Sequence, residues 1–181
     1  DFNFDHQELF RVTRIVTRNI NQVIDRTLYP TPETARSNYR HRPIAIGVQG
    51  LADVFMMMRM PFESEEALQL DREIFETIYY AALTESHALA VEDGPYSSFR
   101  FGKGSPLSRG QFQFDLWKTS PPLSGRWDWE QLRQNIMRDG TRNSLLVGPM
   151  PTASTSQILK NTACIEPPKS NFFLQKTGSG E

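Results

Sequence analysis

The sequence contains a single cysteine, Cys164, and this scarcity excludes an internal framework of disulfide bonds. A lone cysteine also suits a reducing compartment. No apolar run approaches the roughly 18 residues that a membrane-spanning helix needs, and the start at Asp1 does not have the layout of a signal peptide. We therefore expect a cytoplasmic protein without a membrane segment.

An excess of charge of either sign is also lacking, because 20 basic residues oppose 21 acidic ones and leave a net charge of −1. Such a balance gives no bulk attraction to nucleic acid or to an anionic membrane, so we expect neither as a direct partner. The 181 residues suffice for one domain that buries roughly 70% of its unfolded surface. The first residue is Asp1 and not methionine, and we expect a piece of a longer chain.

Several motifs of nucleotide and metal chemistry are missing. Residues 102–105, Gly-Lys-Gly-Ser, lack the spacing of a phosphate-binding P-loop, and residues 47–50, Gly-Val-Gln-Gly, are not a dinucleotide fingerprint. His6, His41 and His87 have no metal-ligand spacing with one another or with the cysteine. We therefore expect no metal site, and we interpret the histidines as surface or hydrogen-bonded residues.

The first pattern that is present is a long helix, predicted over residues 6–28. Asp5 is its expected N-cap, since Glu8 follows three residues later, and Pro30 and Pro32 are expected to end it. The predicted buried face is the apolar stripe Leu9, Val16, Ile20 and Val23.

Three arginines share another face of this helix, namely Arg11, Arg14 and Arg18. We favour a solvated face for them, and contact with phosphates is the alternative.

The middle of the chain predicts further helices. Residues 37–43 are interpreted as a polar, basic connection, and residues 44–60 as one buried helix. Gly47 and Gly50 within it suggest close packing against a neighbour or a nearby backbone. Ser64 is the expected N-cap of a helix that runs to about residue 92.

The rest of the chain suggests an α/β unit. Residues 95–126 are predicted to be ordered loop, and a helix is predicted from about Asp128 to Asp139. Residues 143–147 are apolar enough for a buried parallel strand, and residues 171–175 are a second strand candidate.

Between the strand at 143–147 and the next helix, four hydroxyl side chains fall within the five residues 152–156. Ser154 with Gln157 fits a capping box, which predicts that the helix starts near Thr155. A helix N-terminus has unpaired N–H groups and a partial positive charge, and therefore suits an anion. Ordinary N-cap residues are the alternative interpretation.

This hydroxyl loop, residues 152–156, contains no lysine or arginine. A phosphate would therefore be held by N–H groups, hydroxyls and the helix dipole, and not by an ion pair. Reversible binding of a substrate fits that arrangement better than phosphoryl transfer, which usually needs a lysine and a metal carboxylate.

Motifs along the whole chain, in the right order, resemble those of the large subunit of class I ribonucleotide reductase, closest to its eukaryotic-like branch. The matching segments are His41-Arg42-Pro43-Ile44-Ala45-Ile46-Gly47-Val48-Gln49-Gly50-Leu51-Ala52-Asp53, Pro61-Phe62-Glu63-Ser64, Ile74-Phe75-Glu76-Thr77-Ile78-Tyr79-Tyr80, Asp93-Gly94-Pro95-Tyr96, Arg142-Asn143-Ser144, Met150-Pro151-Thr152-Ala153-Ser154-Thr155-Ser156-Gln157-Ile158 and Ile165-Glu166-Pro167-Pro168.

The resemblance implies the fold and the domain. We expect residues 1–181 to be a helix-rich, C-terminal part of the ten-stranded α/β barrel of these subunits. The upstream half-barrel and the N-terminal allosteric cone are expected to lie outside this segment. The ATP-dependent, allosteric regulation of the family then belongs to the complete subunit.

The resemblance also implies reduction of ribonucleoside diphosphates to 2′-deoxyribonucleoside diphosphates for DNA synthesis. In this family the substrate diphosphate lies on a loop that matches Thr152, Ala153, Ser154, Thr155 and Ser156. A thiyl radical attacks the ribose, and further cysteines supply electrons. None of these catalytic groups has a counterpart here, so we predict no catalytic residue in the segment.

The resemblance implies partners as well. The complete subunit is expected to form a homodimer and to act with a small subunit that carries a radical cofactor, and with thioredoxin or glutaredoxin as reductant. No cofactor is expected in this segment. Cys164 does not lie in the motif of the radical cysteine, so we interpret it as a partly buried, inert thiol. A non-catalytic α/β phosphate-binding or scaffold module derived from such an enzyme is the alternative function.

Overall fold

The computed structural model describes residues 3–117, 121–168, 170 and 172, and the strand candidate at 171–175 therefore lies almost wholly outside the described residues. The chain divides into two compact units. The larger unit comprises residues 4–46 and 69–148, and the smaller one comprises the described residues among 1–3, 47–68 and 149–181.

The first helix, α1, spans His6–Arg26, and the prediction of its existence and its cap is confirmed. The Asp5 carboxylate accepts a hydrogen bond from the Glu8 N–H at 2.9 Å. The predicted buried face is wrong in part, because Leu9, Val16 and Ile20 are half-buried and Val23 is 56% exposed. The buried face lies about one residue further round the helix and is largely polar, consisting of His6, Thr13, Thr17, Asn21 and Ile24.

The polar side chains on the buried face of α1 can be buried because they are hydrogen-bonded. The Thr17 hydroxyl donates to the Thr13 carbonyl at 2.8 Å, and the His6 imidazole lies 3.1 Å from the Thr77 hydroxyl. Burial is the largest cause that lowers the pKa of His6. His41 and His87 are likewise hydrogen-bonded, to Ser98 and Asp139 respectively, as the sequence interpretation expected.

The arginine face of α1 makes ion pairs within the protein. Arg14 and Arg18 both donate to the buried carboxylate of Glu85, at 2.8 and 2.6 Å. Arg11 pairs with Glu8 on its own helix at 2.6 Å. All three guanidinium groups are therefore paired with carboxylates of the protein. This pairing supports neither a purely solvated face nor a contact with phosphates.

A second helix, α2, spans Pro32–His41, where the sequence predicted only a stop and a polar connection. Pro32 begins this helix, since proline is favoured in a first helical turn. Thr31 and Thr34 form a reciprocal capping box. The prediction failed because α2 has no buried residue and hence no apolar periodicity to detect.

The prediction of one buried helix over residues 44–60 is wrong. Residues 44–46 are not helical, Ile46 forms a β-bridge, and the helix α3 spans only Leu51–Met57. Gly50 precedes α3 with a φ of +79°, a left-handed conformation that glycine adopts without strain. The chain changes direction there, which a continuous helix cannot do.

The strand candidate at 143–147 forms one isolated parallel bridge, between Val147 and Ile46. Ile46 N–H donates to the Leu146 carbonyl at 2.9 Å, and Gly148 N–H donates to the Ile46 carbonyl at 3.0 Å. No longer strand occurs among the described residues. Leu146 is buried while Leu145 is 65% exposed, because successive side chains of an extended chain point to opposite faces.

The larger unit contains most of α4, Glu65–Asp93, which is followed after a loop by α5, Trp129–Asp139. Both helices and their caps agree with prediction: Ser64 accepts from the Ala67 N–H, and Asp128 from the Gln131 N–H. Residues 95–126 contain two short 3₁₀ turns, Leu107–Arg109 and Gln113–Leu116. Phe112 and Phe114 of this loop form one aromatic cluster with Tyr79 of α4 and Trp129 of α5.

The smaller unit carries α3 and the last helix, α6, Ala153–Leu159. Among the described residues, no helix is both long enough and apolar enough to cross a membrane.

Candidate functional site

The hydroxyl loop lies at the start of α6, but its cap differs from the prediction. The helix begins at Ala153, two residues earlier than expected, and its N-cap is Thr152 with a φ of +51°. The capping box of Ser154 with Gln157 is therefore wrong. A left-handed Thr152 turns the chain sharply into the helix, and no side-chain cap closes this end.

Each hydroxyl of the loop has a different environment. Thr152 accepts a hydrogen bond at 2.7 Å from the N–H of Cys164, and this bond ties the loop to the segment after the helix. Ser156 is 4% exposed, and its hydroxyl is 3.4 Å from the Ala153 carbonyl. Ser154 and Thr155 are exposed. These two residues immediately precede the buried Ser156 and lie at the surface.

The backbone of the loop leaves N–H groups free. The first helical hydrogen bond runs from the Ser156 N–H to the Thr152 carbonyl at 3.0 Å. In the part of the chain that the structure describes, the N–H groups of Ala153, Ser154 and Thr155 have no acceptor. Three unpaired donors and two exposed hydroxyls at one helix start can together bind an anion.

A short segment before α3 contacts the loop from the side. The Thr155 hydroxyl donates to the Gln49 side-chain oxygen at 2.8 Å, and the Gln49 amide nitrogen donates to the Asn161 side-chain oxygen at 3.1 Å. Gln49 thus connects Thr155, in the first turn of α6, with the turn that follows the end of the helix.

The first turn of α3 and the glycine before it hold the turn after α6. The Asp53 carboxylate accepts from both the N–H and the hydroxyl of Thr162, at 2.6 and 2.7 Å. Gly50 N–H donates to the Thr162 carbonyl at 2.8 Å. A Cβ on Gly50 would lie 3.3 Å from the Asn161 amide, so a larger residue there would push this turn away.

Sequence reasoning identified the hydroxyl loop but missed Gln49, Asp53, Asn161 and Thr162 as the residues that hold it. The partners are separated by 106 to 112 residues, and polar side chains carry no periodic signal of such a contact. The available signal was the pair of glycines, and the close approach expected at Gly50 is confirmed.

Cys164 is the free thiol of the site region, and it is 8% exposed. The burial agrees with the sequence interpretation, whereas its lack of reactivity stays a prediction. Within the described residues, no group of three or more His, Cys, Asp or Glu side chains is arranged to hold a metal ion.

A family model described as the barrel domain of ribonucleotide reductase matches residues 1–181. The match covers the whole chain, and the chain therefore belongs to the ribonucleotide reductase large-subunit family.

Individual relatives agree. The chain is 57% identical to the ribonucleoside-diphosphate reductase large subunit of Dictyostelium discoideum over 98% of this chain and 20% of that protein. It is 52% identical to large chain 2 of the Saccharomyces cerevisiae enzyme over 99% of this chain and 20% of that protein. It is 53% identical to the Danio rerio large subunit over 98% of this chain and 22% of that protein. The chain thus spans about a fifth of the length of these relatives.

Proposed function

We propose that this chain is part of a ribonucleoside-diphosphate reductase large subunit, and that the complete subunit reduces ribonucleoside diphosphates in deoxyribonucleotide synthesis. The observation that carries the proposal is the identity of 52–57% with named large subunits over nearly the whole chain.

Within that enzyme, the proposed role of the segment is to hold the substrate diphosphate at Thr152, Ala153, Ser154, Thr155 and Ser156. The three unpaired N–H groups and the exposed hydroxyls of Ser154 and Thr155 support this role. Binding energy gained at the diphosphate positions the ribose for chemistry at another part of the site.

The segment is proposed to be only part of an α/β barrel. Two observations support this: the described residues form a single parallel bridge, and Leu145 is exposed. A parallel strand is normally covered on both faces and paired on both edges. The rest of the subunit would supply the missing strands and the allosteric cone.

The proposed partners belong to the complete subunit. They are a second copy in a homodimer, a small subunit whose radical cofactor initiates the reaction, and thioredoxin or glutaredoxin as reductant. A cytoplasmic location is proposed with them, since one buried free cysteine suits a reducing compartment.

The loop is tested by Ser154→Ala and Thr155→Val in the complete subunit. Each variant removes one hydroxyl from an exposed position, and a hydrogen bond to a charged group contributes about 1.5–3 kcal/mol. We expect affinity for a nucleoside diphosphate to fall about ten- to hundred-fold, measured by equilibrium binding. The loss should be similar for all four bases, because the loop is proposed to contact phosphates only.

The matched control is Ser97→Ala, an exposed serine of the larger unit, which should leave the affinity unchanged. Affinity for the unphosphorylated nucleoside should not change in any variant. A changed base preference with normal diphosphate binding would contradict the proposed role of the loop.

Replacing Cys164 by serine in the complete subunit should leave turnover within a few-fold of the wild type. The thiol is buried, and its backbone N–H, which binds Thr152, is retained in the variant. Steady-state turnover with a dithiol reductant measures the effect. A loss of about 10³ or more, equal to roughly 4 kcal/mol, would mean that the cysteine takes part in the chemistry.

A further inference from the structure

The Thr155 hydroxyl begins a chain of side-chain hydrogen bonds. It donates to the Gln49 oxygen at 2.8 Å, and the Gln49 nitrogen donates in turn to the Asn161 oxygen at 3.1 Å. Another acceptor for the same proton, the Thr152 carbonyl, is further away at 3.4 Å. The direction of donation therefore runs from the loop into the protein.

That direction conflicts with anion binding. A threonine hydroxyl has one proton, and an ionised phosphate oxygen can only accept a hydrogen bond. While Thr155 donates to Gln49, it presents only lone pairs to a diphosphate. The hydroxyl must turn before it can donate to a phosphate oxygen.

The amide groups allow this change without moving the backbone. The two ends of a glutamine or asparagine amide have nearly the same shape and opposite hydrogen-bonding roles. If both amides rotate by half a turn, the Gln49 nitrogen donates to the Thr155 oxygen, and the Asn161 nitrogen donates to the Gln49 oxygen. The Thr155 proton is then free, and no partner in the chain is lost.

We propose that Gln49 is a positioning residue whose amide orientation decides whether Thr155 can donate its hydroxyl proton to the substrate diphosphate. Asn161 holds Gln49 in either orientation. This inference rests on the proposed function of the loop. A diphosphate bound to the loop selects the rotated pair.

Two variants fix the observed orientation in the complete subunit. Gln49→Glu places an oxygen that can only accept beside Thr155, which then keeps donating to it. In Asn161→Asp, residue 161 can accept a hydrogen bond but cannot donate one. The Gln49 nitrogen therefore stays turned towards residue 161. Each should weaken nucleoside diphosphate binding about ten-fold and leave binding of the unphosphorylated nucleoside unchanged. Gln49→Leu, which cannot accept the proton, should bind the diphosphate several-fold more tightly than Gln49→Glu.

The decisive measurement repeats Gln49→Glu and Asn161→Asp in a Thr155→Val background. If they act through the hydroxyl, each should change diphosphate affinity less than about two-fold there, since the proton that they control is absent. A full ten-fold effect in that background would mean that added charge or a general loss of structure is the cause, and would overturn the inference. Weaker binding of the unphosphorylated nucleoside by Gln49→Glu or Asn161→Asp would also overturn the inference.

The outcome for Thr155→Val alone separates this inference from the proposed function. If that single variant binds the diphosphate normally, the loop is not the phosphate site and the proposed role fails. If it binds more weakly while Gln49→Glu and Asn161→Asp have no effect, the proposed role stands and only the inference about Gln49 is wrong.

Discussion

Replacing Asp25 by alanine should reduce the local free energy of unfolding around α1 and α2 by about 3 kcal/mol, the lower end of what breaking a buried ion pair costs. Arg42 lies at the end of α2 with 4% of its side chain exposed, and its two terminal nitrogens each lie 2.7 Å from an Asp25 carboxylate oxygen. Within the described residues, no other carboxylate lies within ion-pair distance of this guanidinium.

The loss is large because the buried guanidinium group would lose its carboxylate partner. Without Asp25, the partners of the Arg42 guanidinium among the described residues are the side-chain and backbone oxygens of Asn21. The Asp25 side chain is itself 51% exposed, so water can replace part of the lost interaction, which is why we expect the lower end of the range. Hydrogen exchange of the amides in α2 in the complete subunit measures the effect, as faster exchange by about two orders of magnitude.

The control is Glu8→Ala on the same helix. Glu8 also pairs with an arginine, but both side chains of that pair are more than half exposed. Solvent screens such an exposed pair and leaves it little effect on stability, so exchange in α2 should be nearly unchanged. Equal effects of the two variants would show that the burial of Arg42 does not make its pair important.

The Asp25 pair should also depend on pH. The hydrogen bonds from Arg42 are the largest cause that lowers the pKa of the Asp25 carboxyl below its usual value of 3.8. A lowered pKa stabilises the folded protein above the unfolded value, and this stabilisation disappears as the pH falls through the folded value. The difference between wild type and Asp25→Ala should therefore be full at neutral pH and shrink below about pH 4.

The sequence predicted the elements whose signals are local. α1, α4 and α5 combine a helical pattern with a side-chain cap at Asp5, Ser64 or Asp128, and all three were found. The predicted bounds of these helices agree with the observed ones within about two residues. The starts are predictable because a side-chain cap is adjacent in sequence to the helix that it begins.

The failures arose where contacts distant in sequence decide the conformation. Thr152 has a left-handed backbone, and its hydroxyl oxygen accepts a hydrogen bond from the Cys164 N–H. The helix α6 therefore begins after Thr152, although Ser154 is the better cap by local sequence. The buried side of α1 is set by its partners on α4, such as Thr77 and Glu85, and not by its own apolar stripe. For the same reason, no local pattern could have indicated that Gln49 contacts Thr155.

The 181-residue chain by itself should form no deoxyribonucleotide, even with a small subunit and a dithiol present. Replacing the 2′-hydroxyl of a ribose by hydrogen releases water and consumes two electrons and two protons. Two thiols supply these when they are oxidised to one disulfide. The chain has one cysteine, so it cannot form an internal disulfide.

An external dithiol does not remove this difficulty, because Cys164 is 8% exposed and its backbone is tied to Thr152. A buried thiol is a poor partner for exchange with a reductant. The assay is detection of deoxyribonucleoside diphosphate after long incubation, with the complete subunit as the positive control. Product formation by the chain alone that disappears with Cys164→Ser would contradict both this prediction and the inert role of the cysteine, and would place redox chemistry beside the hydroxyl loop.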